Sequence, residues 1–419
     1  MSDGDANSNH APTRRDYMKY GAAVVGSGLI AGCSSQSESE SESEATPATN
    51  TASATPETEA TADTTTEAGA GDGYTVSMAP MGEVEFEAVP ESVYTGLPYG
   101  ADMAIASGAA DAINSIYYPD YHGTLMNHFY DRLDGVSFEY EGLTDSWNLG
   151  KEGFYELDSD VHLSDPAYAS TLETLSRDDV VEIRTQIGPW FGNYYSDRRR
   201  DPPEAWAEDY EYYSLWGIYE RAAQVFRAGD RARALREIHS SMRSEIEAGL
   251  PPESERPSVA LTFKGQDDTF WVYHLNADGF LNAHTQPLGA IDAFGDTEFE
   301  GPQTQVDYEA MLDADPDVVL VLFTLASSYS IADIRAGLEA DAVASELSAV
   351  RNGEVYAQGA RYQGPIMNLF QLEMTAKQLY PDQFGEWPGY VDGNPYPEIP
   401  ADEQLFDRQR VADIVNGNL

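Results

Sequence analysis

The chain has 419 residues, with 72 Asp and Glu against 24 Lys and Arg and a net charge of -48. That length exceeds one ordinary hydrophobic core and suits two lobes with additional segments. Nucleic acid is disfavoured as a partner, because phosphate binding needs a concentrated basic face.

Four of the basic residues are lysines (Lys19, Lys151, Lys264 and Lys377), and the acid is spread along the whole chain. Such a surface stays soluble where salt screens charge over a few Å and repels itself in dilute solution, so it reads as adaptation to high salt. The basic tripeptide Arg198–Arg199–Arg200, flanked by Asp197 and Asp201, reads as a solvated loop. A single cysteine, Cys33, excludes an intramolecular disulfide and any cysteine-cluster metal site.

Residues 1–33 form an address. Thr13 to Lys19 (TRRDYMK) resembles a twin-arginine (Tat) export signal, and the apolar run Gly21–Ala31 that follows is far shorter than a spanning helix. The run ends in Ile30-Ala31-Gly32-Cys33, which resembles the lipobox of exported lipoproteins; that resemblance implies cleavage before Cys33 and lipid on its sulfur. Gly26, Gly28 and Gly32 are set aside as a nucleotide loop, since no strand precedes them. Residues 34–73 are Ser, Thr, Glu and Ala with scattered Pro, which predicts a disordered tether.

An N-terminal α/β lobe is expected over 74–203. Tyr74–Met78, Val84–Phe86, Ser92–Tyr94 and Ile113–Tyr117 read as short strands, with helices near Ala101–Gly108 and Thr124–Arg132. This alternation continues to Val180–Ile183 and points to parallel strands.

Residues 204–250 form a helical insertion and a bridging helix, Asp230–Leu250. Leu235, Ile238, Met242 and Ile246 make one apolar stripe, Asp230 is the expected N-cap, and Gly249 with Pro251 and Pro252 supplies the stop. The roughly 18 residues between span about 27 Å. Trp206–Phe226 is a candidate second helix, with a break at Gly229-Asp230.

The C-terminal α/β lobe, 251–390, runs through strands at Ser258–Phe263 and Asp317–Leu322 to a long helix, Pro365–Tyr380; residues 391–419 are left as a tail. The lobes match at one place: Glu152–Leu163 lies in step with Glu309–Leu320, each a short helix feeding a strand. The fold class is therefore α/β, with two lobes of mostly parallel sheet, a cleft between them and a single long helix joining them.

An exported, lipid-anchored body of this plan resembles the metal-chelate substrate-binding lipoproteins of ABC importers, which bind siderophores, cobalamin or haem, here in a haloarchaeal-like version. The resemblance covers roughly Tyr74–Trp387 and is carried most specifically by Asp315-Pro316-Asp317-Val318-Val319-Leu320, by Leu347–Tyr356 and by Gln363–Pro381. Ile187-Gly188-Pro189-Trp190 resembles the exit from the first lobe, whereas Phe191–Gly229 is a long aromatic insertion that departs from compact members. The resemblance implies little hinging, no enzymatic chemistry, no cofactor and a ferric siderophore as cargo. Its implied partners are a permease and its ATPase, met by a monomer on the outer face of the membrane through its lipid alone. Glu152 and Glu309 are the acids it would place against the permease.

Ligand-facing groups are expected on loops after strands. Tyr99, Tyr118, His122 and Trp190 qualify in the first lobe, and Trp271, Tyr273, His284, Tyr329, Arg361 and Tyr362 in the second. Aromatics with polar tips stack on flat chelators, and an arginine would match an anionic chelate. Two alternatives stay open: a site shared by His122, His284 and a carboxylate for zinc or manganese, and haem held by Tyr or His. No GxSxG elbow, P-loop or second cysteine is present, which leaves a carboxylate hydrolase as the remaining enzymatic reading.

Overall fold

The computed structural model describes residues 73–265, 268–299, 301–325, 330–389 and 395–419. The signal, the tether and Cys33 lie outside the described residues, as does Tyr329. No described helix is long and apolar enough to cross a membrane.

A hairpin opens the body, β1 (Tyr74–Met78) pairing antiparallel with β2 (Gly82–Phe86). The first lobe is a four-stranded parallel sheet in the order β5 (Thr144–Asp145), β4 (Ile113–Ile116), β3 (Val93–Thr95), β6 (Val161–Leu163). The second sheet runs β10 (Thr304–Asp307), β8 (Thr269–Tyr273), β7 (Ser258–Lys264), β11 (Val318–Val321), β12 (Val355–Ala357), with β9 (Ile291–Asp292) also on β7. Strands β7, β9, β11 and β12 are parallel, whereas β8 runs against them and pairs antiparallel with both β7 and β10. All four residues of β11 are buried, as a strand covered on both faces requires.

The matched segments are repeated structure. Helices Lys151–Leu157 and Tyr308–Ala314 each have seven residues and each end on a left-handed aspartate, Asp158 (φ 44) and Asp315 (φ 37). Two residues on, Asp160 accepts from Ser92 N at 2.9 Å and Asp317 from Ser258 N at 2.9 Å. Each carboxylate thus pins the start of the neighbouring strand (β3 or β7) beside the strand it precedes (β6 or β11). Val180–Ile183 lies in helix Arg177–Gln186, opened by a capping box between Ser176 and Asp179; its valines are β-branched, but the cap and polar face decide.

The bridging helix spans Gly229–Gly249. Ala232, Leu235, His239, Met242 and Ile246 are buried on it, and Ile238 is half-buried at the stripe's margin. Asp230 is not its cap: no side chain caps this helix, and Asp230 instead meets Arg233 at 2.7 Å within the first turn. Gly249 does not supply a left-handed cap either. It lets Phe384 approach, since a Cβ there would lie 2.8 Å from that ring. A separate helix, Leu215–Val225, precedes the break, with Arg227 at φ 52.

Helix Pro365–Leu379 is buried along its whole length and packs on helices Pro98–Ala106 and Pro119–Tyr130 of the first lobe. Gly364 offers its N-terminus no side-chain cap. Asp102, from the other lobe, supplies one: its carboxylate accepts from Met367 N at 3.0 Å and from Tyr130 OH at 2.6 Å. Residues 395–419 carry helix Arg408–Val415, which packs on the bridging helix, and Arg408 donates to the buried Glu373 at 2.7 Å. One apolar cluster therefore runs from Val76 to Val415 through both sheets. Lobes that share a core resist hinging, because opening them would expose it.

Candidate functional site

The lobes meet along a face lined with tyrosines and arginines. From the first lobe, Tyr99 stands at the start of helix Pro98–Ala106, and its ring lies 5.3 Å from that of Phe280 in the second. Tyr121 donates its hydroxyl to the Phe323 carbonyl at 3.1 Å. Tyr194 and Tyr362 stack at 6.0 Å with hydroxyls 2.9 Å apart, and Tyr168 lies against Tyr194 at 4.0 Å. The face is closed in this structure, and burial pushes the phenols of Tyr99, Tyr194 and Tyr362 up in pKa.

Arg361 is 93 % buried, with a residue exposure of 7 %. Its guanidinium stacks on Tyr273 at 4.4 Å and donates to Asn282 Oδ1 at 2.9 Å. Its Nε has no partner. Two residues on, Gln363 Nε2 donates to His284 Nδ1 at 2.7 Å, so the remaining imidazole proton sits on Nε2, buried and unpartnered. Burial, then the Arg361 charge, lowers the His284 pKa to about 3, which keeps the ring neutral. Gln363 Oε1 is held by Asn368 Nδ2 and Gln371 Nε2 from the buried helix Pro365–Leu379, so packing fixes this segment.

The basic tripeptide is not a solvated loop. Tyr195–Asp197 is a 3-10 turn, Asp197 is fully buried, and Arg198 and Arg200 are half-buried beside it; only Arg199 of the three is exposed. Arg200 meets Asp197 at 3.1 Å and lies over Tyr194 and Tyr195 at 4.6 and 4.5 Å. The turn is pinned in the first lobe by Asp165, which accepts from Tyr194 N at 2.7 Å and Tyr210 OH at 2.5 Å. On its other side it presses on the second lobe: a Cβ at Gly279 (φ +103) would come within 2.1 Å of the Asp197 carbonyl oxygen. The run of charges in DRRRD hides this burial, and the signal that could reveal it is the dense run of tyrosines on either side.

Of the ten residues expected in the cleft, Tyr99, Tyr273, Arg361 and Tyr362 come together with this turn. His284 stands beside them through Gln363. Tyr118 (φ 46) precedes helix Pro119–Tyr130 with its ring 4.8 Å from Tyr117, and His122 donates Nδ1–H to the Tyr117 carbonyl at 2.6 Å. Burial lowers the His122 pKa to about 4. Trp271 sits on β8 opposite Phe263, on the same side of the strand as Tyr273 but nearer the hairpin end. Trp190 is misplaced by the sequence. It is buried in a separate core of the first lobe with Tyr94, Phe154 and Ile183, its indole donating to the Val180 carbonyl at 3.0 Å. Among the described residues no three His, Cys, Asp or Glu groups are placed to hold a metal, so His122 and His284 do not converge with a carboxylate. Glu152 and Glu309 are exposed in the first turns of the two repeated helices. Two surface hollows of about 460 and 250 Å³, at Pro251–Pro257 with Tyr380–Gln383 and at Asp230 with Arg410, lie away from this face.

Solved structures share the architecture. A periplasmic solute binding protein of Veillonella parvula superposes with a TM-score of 0.52 at 16% identity, covering 82% of this chain and 99% of its own. A second periplasmic binding protein of that organism gives 0.52 at 12%, covering 74% and 99%. CeuE of Helicobacter pylori, solved with Ni(II) bound, gives 0.51 at 13%, covering 74% and 90%. No protein-family model matches the chain, and no curated protein matches it in sequence. The fold is that of the two-lobe periplasmic binding proteins.

Proposed function

We propose that the chain is the extracellular substrate-binding component of an ABC importer, and that it captures an anionic metal chelate, a ferric siderophore, and presents it to a permease. One observation carries the reading. In a chain of net charge -48, three guanidinium groups (Arg198, Arg200 and Arg361) converge with tyrosines on the face where the lobes meet. A cation cluster so placed is matched by a ligand rich in anionic oxygens, and the rings by its flat chelating groups. The shared core supports capture with little closure. The similar structures include one named as holding Ni(II), which accords with metal-linked cargo. Export by the Tat route and a lipid on Cys33 would keep the monomer at the membrane. Glu152 and Glu309, on helices related by the internal repeat, would meet the permease, with its ATPase on the far side. Cobalamin and haem remain the alternative cargoes of the same site.

A thermal-shift screen of the chain from Gly73 onward, in concentrated salt, tests the reading. Ferric catecholates, hydroxamates and citrate, cobalamin, haem and bare divalent metals form the panel. A chelate that binds only the folded state stabilises it by mass action, by about 2.7 kcal/mol at a hundredfold excess over Kd, and so raises the midpoint. A shift with zinc alone would replace the chelate reading with a direct metal site.

A further inference from the structure

We infer that Asp197 is a built-in counter-anion which the ligand's own negative group displaces, so that this residue sets both the affinity and the charge selectivity of the site. The inference rests on the proposed binding of an anionic chelate. Asp197 is fully buried and, among the described residues, carries the carboxylate paired with Arg198 and Arg200: Arg200 Nε and Nη2 approach it at 3.1 and 3.3 Å, and Arg198 Nε at 3.7 Å. Its charge also reaches Arg361, across the lobe boundary, and the Tyr362 phenol. The other nearby acid, Asp165, is spent on Tyr194 N, Tyr210 OH and Ala167 N, within its own lobe.

One carboxylate cannot satisfy three guanidinium groups, and the geometry shows the shortfall. The Nε of Arg198 and the Nε of Arg361 are both buried without an acceptor, as is the Nε2 of His284 beside Arg361. Buried donors left unpaired are costly, and a cluster of them marks where an acceptor belongs. The Arg198 contact at 3.7 Å is too long for a hydrogen bond, so a ligand oxygen would offer it more than Asp197 does. A like charge beside the bound anion would oppose it at short range, where Coulomb energies are largest. Asp197 is therefore in competition with an anionic ligand for the same donors. Its turn is attached to the first lobe through Asp165 and meets the second at Gly279 and through the Tyr194–Tyr362 hydroxyl pair, so withdrawal of the carboxylate would loosen this turn against the second lobe.

The test compares the full wild-type chain with Asp197→Asn by equilibrium titration in one high-salt buffer. The probes are a negatively charged ferric tris-catecholate and a neutral ferric tris-hydroxamate. The variant should bind the anionic chelate at least tenfold more tightly and the neutral one equally. Without chelate its thermal midpoint should fall, because three cations lose their counter-charge, and the anionic chelate should restore it. In the wild type, amides of 194–200 should exchange faster with solvent once the anionic chelate is bound. Equal or weaker anion binding by the variant, or slower exchange over 194–200, would overturn the inference and make Asp197 a positioning residue for the arginines. If the wild type binds neither chelate, it is the proposed function that fails.

Discussion

Replacing Asp102 by Asn should make the stability of the fold less dependent on pH. The carboxylate is fully buried, and burial pushes its pKa from 3.8 up to about 7, against the opposing hydrogen bonds from Tyr130 and the N-terminus of helix Pro365–Leu379. A folded-state pKa above the unfolded value means that protonation stabilises the fold. The contribution is complete below about pH 4 and is lost as pH rises through about 7. That difference corresponds to roughly 4 kcal/mol. Asn retains an acceptor for Met367 N, which donates at 3.0 Å in the wild type, and cannot ionise. Chemical denaturation of both proteins from pH 4.5 to 8.5, at fixed salt, reads the difference. The stability of the variant relative to wild type should climb across that window and level off above pH 8. A difference that stays flat would show that the helix N-terminus and Tyr130 hold Asp102 ionised throughout, and that burial does not dominate.

Arg361→Gln should weaken an anionic chelate by about 2–5 kcal/mol, the cost of truncating one partner of a buried charge pair, while leaving a neutral chelate within about 1 kcal/mol; calorimetric titration reads both. Tyr362→Phe deletes the hydroxyl that meets Tyr194 at 2.9 Å across the lobes and should cost about 0.5–1.5 kcal/mol of stability by denaturant unfolding. Leu369→Ala, in the buried helix Pro365–Leu379, should cost about 2–5 kcal/mol by the same assay. Charge reversal at Glu152 or Glu309 should leave chelate affinity unchanged and reduce uptake by reconstituted permease; unchanged transport would remove both residues from docking.

The repeat was legible because its chemistry is local. Glu152–Leu163 and Glu309–Leu320 share the acids that end a short helix and pin a neighbouring strand, and those contacts need nothing from elsewhere. The bridging helix was legible for the same reason, through its apolar stripe and the prolines that follow it, Pro251 and Pro252. Its cap was not, since Asp230 found a nearer cation in Arg233. The turn at Asp197 escaped because its burial depends on groups more than eighty residues away, Gly279 and the Tyr362 segment, while its composition resembles a solvated loop. Trp190 failed the other way: its place on a loop after a proline reads as cleft-lining, but the Val180 carbonyl takes its indole N–H and a separate core closes over it. Asp102 was also invisible, because a helix cap supplied from the opposite lobe leaves no spacing in the sequence.

The most direct test is an equilibrium titration of the wild-type chain with ferric chelates of graded charge, from neutral to trianionic, matched in size. Affinity should rise with negative charge, and the gradient should largely vanish in Arg361→Gln. Binding that is indifferent to chelate charge, or a gradient that survives loss of the Arg361 guanidinium, would contradict the assignment of the interlobe arginines as the ligand site.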